Sequence, residues 1–132
     1  MTTSLWIVAV FAGIGVLDTL YLSYHAITKR EVVCWWFPKE WCRRVQYSPH
    51  SKTLGIPNPF LGLGMYIAIL ILLAKFSGGD APFWLLQAVV AFGFAFSLYF
   101  TYIQAFVLRA FCTWCVISAV NFTVMFLVLF VL

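Results

Sequence analysis

The chain carries four cysteines in two pairs, Cys34 with Cys42 and Cys112 with Cys115. In Cys112-Thr113-Trp114-Cys115 the two side chains stand about one helical turn apart, roughly 5.4 Å of rise, so they can close to a disulfide or open to a dithiol with little backbone movement. That is a redox switch. With a helix beginning near Phe111, its unpaired N–H groups and positive dipole end would favour the thiolate, the form that attacks a disulfide or an electrophilic ring. Taken alone, the pair also suits two small apolar cysteines packed in a helix; the second pair upstream favours the redox reading. Four thiolates could instead hold structural zinc, but seven residues separate Cys34 from Cys42, against a usual spacing of about two to four. No metal is expected. Val116 stands where c-type haem attachment requires His, which excludes that cofactor.

The elements that must position these sulfurs are set by the solvent. Of 132 residues, 64% are apolar, 20% aromatic and only 9% charged, whereas a soluble globule runs near 45–50% apolar and about 25% charged. The fold class is therefore all-α integral membrane, one domain over residues 1–132, with no nucleic-acid partner. The first apolar run has no basic segment before it and no small-residue cleavage site after it, so the chain is expected to enter the membrane through its own first span.

Four spans are expected, at about 5–27, 60–76, 83–108 and 111–132, each long enough or nearly so for about 30 Å of hydrocarbon. Asp18 in the first is costly at that depth and should face the bundle, protonated or hydrogen-bonded; it is a candidate proton carrier or a buried carboxyl bonded to a neighbouring Ser or Tyr. His25 is expected at the interface. Gly62 and Gly64 would let the second span approach its neighbours closely. The third span has a partly polar face of Gln87, Ser97, Tyr99, Thr101, Tyr102 and Gln104. Residues 28–58 form a long polar stretch carrying Trp35, Trp36 and Trp41 among cations such as Arg43 and Arg44. Tryptophan with arginine suits the headgroup layer, so this loop should lie on the lipid surface and cap a four-transmembrane-helix bundle.

Four crossings put that loop and the short turn at Arg109 on one side, so both cysteine pairs face the same compartment. Cys34 or Cys42 can then reach Cys112 by loop movement alone. Thiol–disulfide exchange moves electrons only between sulfurs in contact, and a sink is still required. In a bilayer, with no haem or flavin motif, the evident acceptor is a quinone held against the deeper cysteine, Cys115.

Here the sequence resembles the vitamin K epoxide reductase family, including its prokaryotic disulfide-forming members. The resemblance is carried by Cys34 and Cys42, Ser48, Gly55-Ile56-Pro57, then Asn58, Gly62 and Tyr66, and Cys112-x-x-Cys115. It implies a four-helix bundle around a quinone. Cys34 would be the outer shuttle that meets a thioredoxin-like partner, and Cys42 would pass electrons to Cys112. Cys115 would attack or contact the quinone, and Asn58 would donate a hydrogen bond to a quinone oxygen, although Asn58 also suits a plain turn ahead of Pro59. Where the animal enzymes carry a quinone-contacting tyrosine four residues after the last cysteine, this chain has Ala119. That departure points away from vitamin K epoxide and toward menaquinone or ubiquinone. With no thioredoxin-like domain in the sequence, the partner is expected to be a separate protein.

Seven Lys and Arg residues lie on the cysteine side and Lys75 on the other, so the positive-inside rule puts the cysteines in the cytoplasm. The family resemblance implies the opposite face, and the charge distribution is given slightly more weight. A reducing cytosol has an exception in hyperthermophiles, whose intracellular proteins can be rich in disulfides. Two rival functions remain open at this level: a non-enzymatic membrane module in which the cysteines bind zinc or staple the loop, and a small transporter using Asp18.

Overall fold

The computed structural model describes residues 3–28, 37–46, 52–53 and 56–131. Cys34, Trp35, Trp36, Ser48 and Gly55, all singled out above, lie outside the described residues.

Among the described residues, four helices are long and apolar enough to cross a membrane: α1 (Thr3–Thr28), α3 (Asn58–Ser77), α4 (Phe83–Tyr102) with its continuation to Leu108, and α5 (Thr113–Phe130). The protein is a multi-pass membrane protein. The 26 residues of α1 amount to about 39 Å and the 18 of α5 to about 27 Å at 1.5 Å per residue, so α1 must tilt or protrude where α5 just spans. The main packing contacts run in the cyclic order α1, α3, α4, α5 and back to α1. Leu17, Trp84 and Phe106 are among many large apolar side chains that point outward. In lipid this exposure carries no penalty, because hydrocarbon outside the bundle is as apolar as the interior.

The stretch expected as loop 28–58 contains a helix, α2 (Lys39–Gln46). Pro38 precedes it and its carbonyl accepts the Trp41 N–H at 2.9 Å, which suits proline's fixed φ at a helix start. Trp41, Cys42 and Val45 turn one face of α2 inward, while Lys39, Glu40, Arg43 and Arg44 stay exposed. A short antiparallel pairing of β1 (Lys52–Thr53) with β2 (Ile56–Pro57) then leads into α3. The second span starts two residues earlier than expected, with Asn58 as the first helical residue. The fourth starts two residues later than Phe111, at Thr113.

The core divides in two. In the half of the bundle away from the cysteines, Val8, Ala12, Ile69, Leu73, Leu86, Val90 and Met125 form a close-packed cluster, and the Gln87 Nε2 donates across α4 and α5 to the Leu129 carbonyl at 3.0 Å. At the other end a smaller cluster joins Cys42 and Val45 of α2 to Phe100, Ala110 and Cys112. A cavity lies within the cysteine-side half.

A ring pair braces the boundary. Tyr66 and Phe122 stack with centroids 4.7 Å apart, and a Cβ on Gly15 would strike the Tyr66 ring while one on Gly93 would strike Phe122. One tyrosine and one phenylalanine, each seated on a glycine, thus connect all four spans. The close approaches belong to Gly15 and Gly93, with Gly62 meeting only the Thr19 methyl at 3.1 Å from an added Cβ. Gly64 corrects the expectation from sequence: it is exposed, and an added Cβ there meets nothing within 4 Å.

Candidate functional site: a thiol pair beside an intramembrane cavity

α4 does not end as an α-helix. Residues Ile103–Leu108 form a π-helical turn, followed by Arg109 in the left-handed region at φ 52°. Such turns are rare and cluster at functional sites. Here the turn compresses the route from the third span to the fourth into four residues, 109–112. The Ala110 N–H closes it by donating to the Gln104 carbonyl at 3.0 Å.

Cys112 is the N-cap of α5, with extended backbone at φ −93° and ψ 126°, and its N–H donates to the Gln104 Oε1 at 2.9 Å. The hydrogen bond from the Cys115 thiol, aided by the N–H groups of Cys115 and Trp114, holds the Cys112 thiol below its usual range despite burial. The helix start at Thr113 matters for this reason: it puts Cys112 at the mouth of the dipole and Cys115 in the first turn.

Both inner cysteines are free thiols, Cys112 buried and Cys115 partly exposed. Cys115 owes that exposure to the cavity whose wall it forms. The cavity has a volume of about 350 Å³ and is bounded mainly by Leu22, Leu61, Met65, Phe92, Phe96, Phe100 and Phe122. Its few polar groups are Thr19, Asn58, Ser97, Thr101, Gln104, Cys115 and Ser118. An apolar chamber with a handful of directed polar groups, of a few hundred Å³, is the usual form of a site for a small organic ligand.

Cys42, in the other pair, is engaged in a disulfide and buried, and it shares the cysteine-side cluster with Cys112. α2 is tied down beside it: the exposed Arg44 guanidinium donates to the Leu108 carbonyl at 3.2 Å and to the Arg109 carbonyl at 3.5 Å. Phe37 and Trp41 pack on Phe111 at centroid distances of 5.9 and 6.4 Å.

The structure thus gathers Cys42, Cys112, Cys115 and Asn58 at one end of the bundle, and Cys34 lies outside the described residues. Asp18 is buried, and among the described residues neither carboxyl oxygen has a hydrogen-bond partner; it does not line the cavity. Tyr66 is fully buried, its hydroxyl 2.7 Å from the Ser118 Oγ. Sequence reasoning missed the part played by Gln104. The available signal was a carboxamide in an apolar span, eight residues before Cys112.

Fold and site define a class: a four-span membrane bundle with a free thiol pair set between a surface helix and an intramembrane cavity. The model of the vitamin K epoxide reductase family matches residues 6–130, and the chain belongs to that family. It is also similar to a thiol-disulfide oxidoreductase, LTO1, of Arabidopsis thaliana, with 31% identity over 121 residues, 84% of this chain. The chain spans 32% of that relative's length.

Proposed function

We propose that the protein is a quinone-linked protein-dithiol oxidoreductase that makes disulfides for a separate thioredoxin-like partner. The observation that carries this reading is the position of the inner pair: Cys115 forms part of the cavity wall while Cys112 packs in one cluster with Cys42. The name and family of the relative support the thiol chemistry.

The sequence of steps begins at the surface. A partner dithiol is oxidised as it reduces the Cys34/Cys42 pair. The Cys42 thiolate then attacks Cys112 of a Cys112–Cys115 disulfide, forming a mixed disulfide and releasing Cys115 as thiolate. Cys34 resolves the mixed disulfide by attacking Cys42, which leaves the inner pair as a dithiol. Cys42 in a disulfide beside free Cys112 and Cys115 is the arrangement expected at that point. The inner dithiol then gives up two electrons and two protons and closes its S–S bond, and a bound quinone supplies the two-electron acceptor, leaving as quinol. Asn58, on the cavity wall, would donate to a ring oxygen, and the phenylalanines would keep water from the ring. Ala119 in place of a tyrosine favours menaquinone or ubiquinone over an epoxide.

The test is reoxidation of the reduced, detergent-solubilised chain by a short-chain quinone. The expected result is stoichiometric loss of free thiol in the wild type and none at the inner pair of Cys115→Ala. Normal turnover by that variant would sink the assignment. For the membrane side, the charge distribution supports a cytoplasmic cysteine face. A membrane-impermeant thiol reagent applied to reduced intact cells should then leave Cys34 unlabelled, and ready labelling would reverse the orientation.

A further inference from the structure

In a capping box the residue three places into a helix reaches back to accept the N–H of the N-cap residue. In α5 that place is held by Cys115, which the thiol chemistry needs and whose sulfur is a weaker acceptor than a Glu or Gln oxygen. The N-cap N–H of Cys112 is instead taken by Gln104, from another span. Gln104 is 1% exposed. Its main-chain carbonyl receives the Ala110 N–H and its side chain receives the Cys112 N–H, so one residue pins both ends of the connection between the spans. Among the described residues, its amide nitrogen donates to the Phe100 carbonyl, at 3.5 Å. The same side chain lines the cavity together with Cys115.

We propose that Gln104 is the positioning residue of the thiol pair: from the cavity wall it holds the Cys112 backbone and thereby sets the direction in which the Cys112 sulfur meets Cys42 and Cys115. This rests on Cys112 being a reacting sulfur, as in the function proposed above, but not on the identity of the acceptor. A glutamine that merely filled space would stabilise the turn without affecting thiol reactivity. A glutamine that only bound the ligand would change affinity alone.

The experiment compares wild type with Gln104→Met, of similar size but with no such acceptor, as full chains in lipid nanodiscs. The pH dependence of Cys112 modification by a small neutral alkylating reagent is read by mass spectrometry without any quinone. Loss of the acceptor should raise the midpoint by about one pH unit, a tenfold fall in Cys112 reactivity below it. Turnover with a short-chain quinone should then show kcat falling by about tenfold with KM within about twofold, the pattern of lost alignment rather than lost binding. An unmoved midpoint, or a rise in KM alone, would overturn the proposal. Absence of quinone turnover in the wild type would count against the quinone reading and leave the alkylation arm to decide this one. If the Met variant does not fold, hydrogen exchange at residues 110–115 of the wild type decides it: slow exchange of the Cys112 amide is required, and fast exchange overturns the role.

Discussion

Tyr66 and Phe122 stack at 4.7 Å, interplanar angle 24°, at the level where the packed half of the bundle gives way to the cavity. Phe122 is itself part of the cavity wall, and the Tyr66 hydroxyl meets Ser118, another part of that wall. The ring pair is therefore both the brace between the four spans and the floor beneath the thiol pair.

Gly93→Ala should be destabilising even though alanine is the better helix former, because its Cβ would strike the Phe122 ring, which is held by its stack on Tyr66. Overpacking of this kind costs about 1–3 kcal/mol, against a helix-propensity gain of about 1 kcal/mol. Gly64→Ala, with open space around the added methyl, should be neutral or slightly stabilising. Thermal unfolding in detergent, followed by helical circular dichroism, checks the pair, and equal midpoints for the two variants would contradict the brace.

Replacing Cys34 removes the thiol that resolves the mixed disulfide between Cys42 and Cys112. Cys34→Ser should therefore accumulate a Cys42–Cys112 cross-link, since those residues already share one cluster. Peptide mapping under non-reducing conditions reads this directly. A cross-link formed mainly with another residue would show that Cys42 is not the donor.

The Cys112 thiol is held below its usual range chiefly by the hydrogen bond from the Cys115 thiol. Half-maximal alkylation of Cys112 should fall below the pH of about 8.5 typical of a free cysteine, and Cys115→Ala should move it upward because the donor is gone. The sign for stability follows from the same shift. A folded-state pKa that is depressed stabilises the fold fully above the unfolded thiol's pKa, and that contribution fades as pH falls through the folded value. A midpoint in Cys115→Ala at or below that of the wild type would contradict the direction.

Arg44→Ala should loosen α2 from the turn at Leu108 and Arg109. Arg44 is exposed, so the loss of stability should be small, about 0.5–1 kcal/mol. The larger effect is on access: bulky maleimides should label Cys112 several-fold faster, because α2 covers it. Unchanged labelling would mean that the aromatic contacts of Phe37 and Trp41 with Phe111 are enough to hold the cover.

How far the site could be read ahead of the structure depended on the kind of signal. Cysteine spacing and apolar runs are local, so the inner pair and the four spans are legible, and the common side of Cys42 and Cys112 follows from the number of crossings. Asn58 was recognised through resemblance, and the structure adds its place on the cavity wall. α2 was hidden in a stretch read as loop, because its eight residues are too short for periodicity to stand out among so many aromatics. Gly64 misled, since a glycine's value depends on what faces it and its own span does not reveal that.

The sequence by itself determined the solvent, the number of crossings and the chemistry, because hydropathy over about 20 residues and a Cys-x-x-Cys spacing are properties of the chain alone. Only the tertiary structure decided where empty space would lie. Seating Tyr66 and Phe122 on Gly15 and Gly93 closes one half of the bundle, while the π-helical turn brings Gln104 to Cys112 and leaves Cys115 against a cavity in the other. Those relations join residues from different spans, and they exist only once the helices have packed.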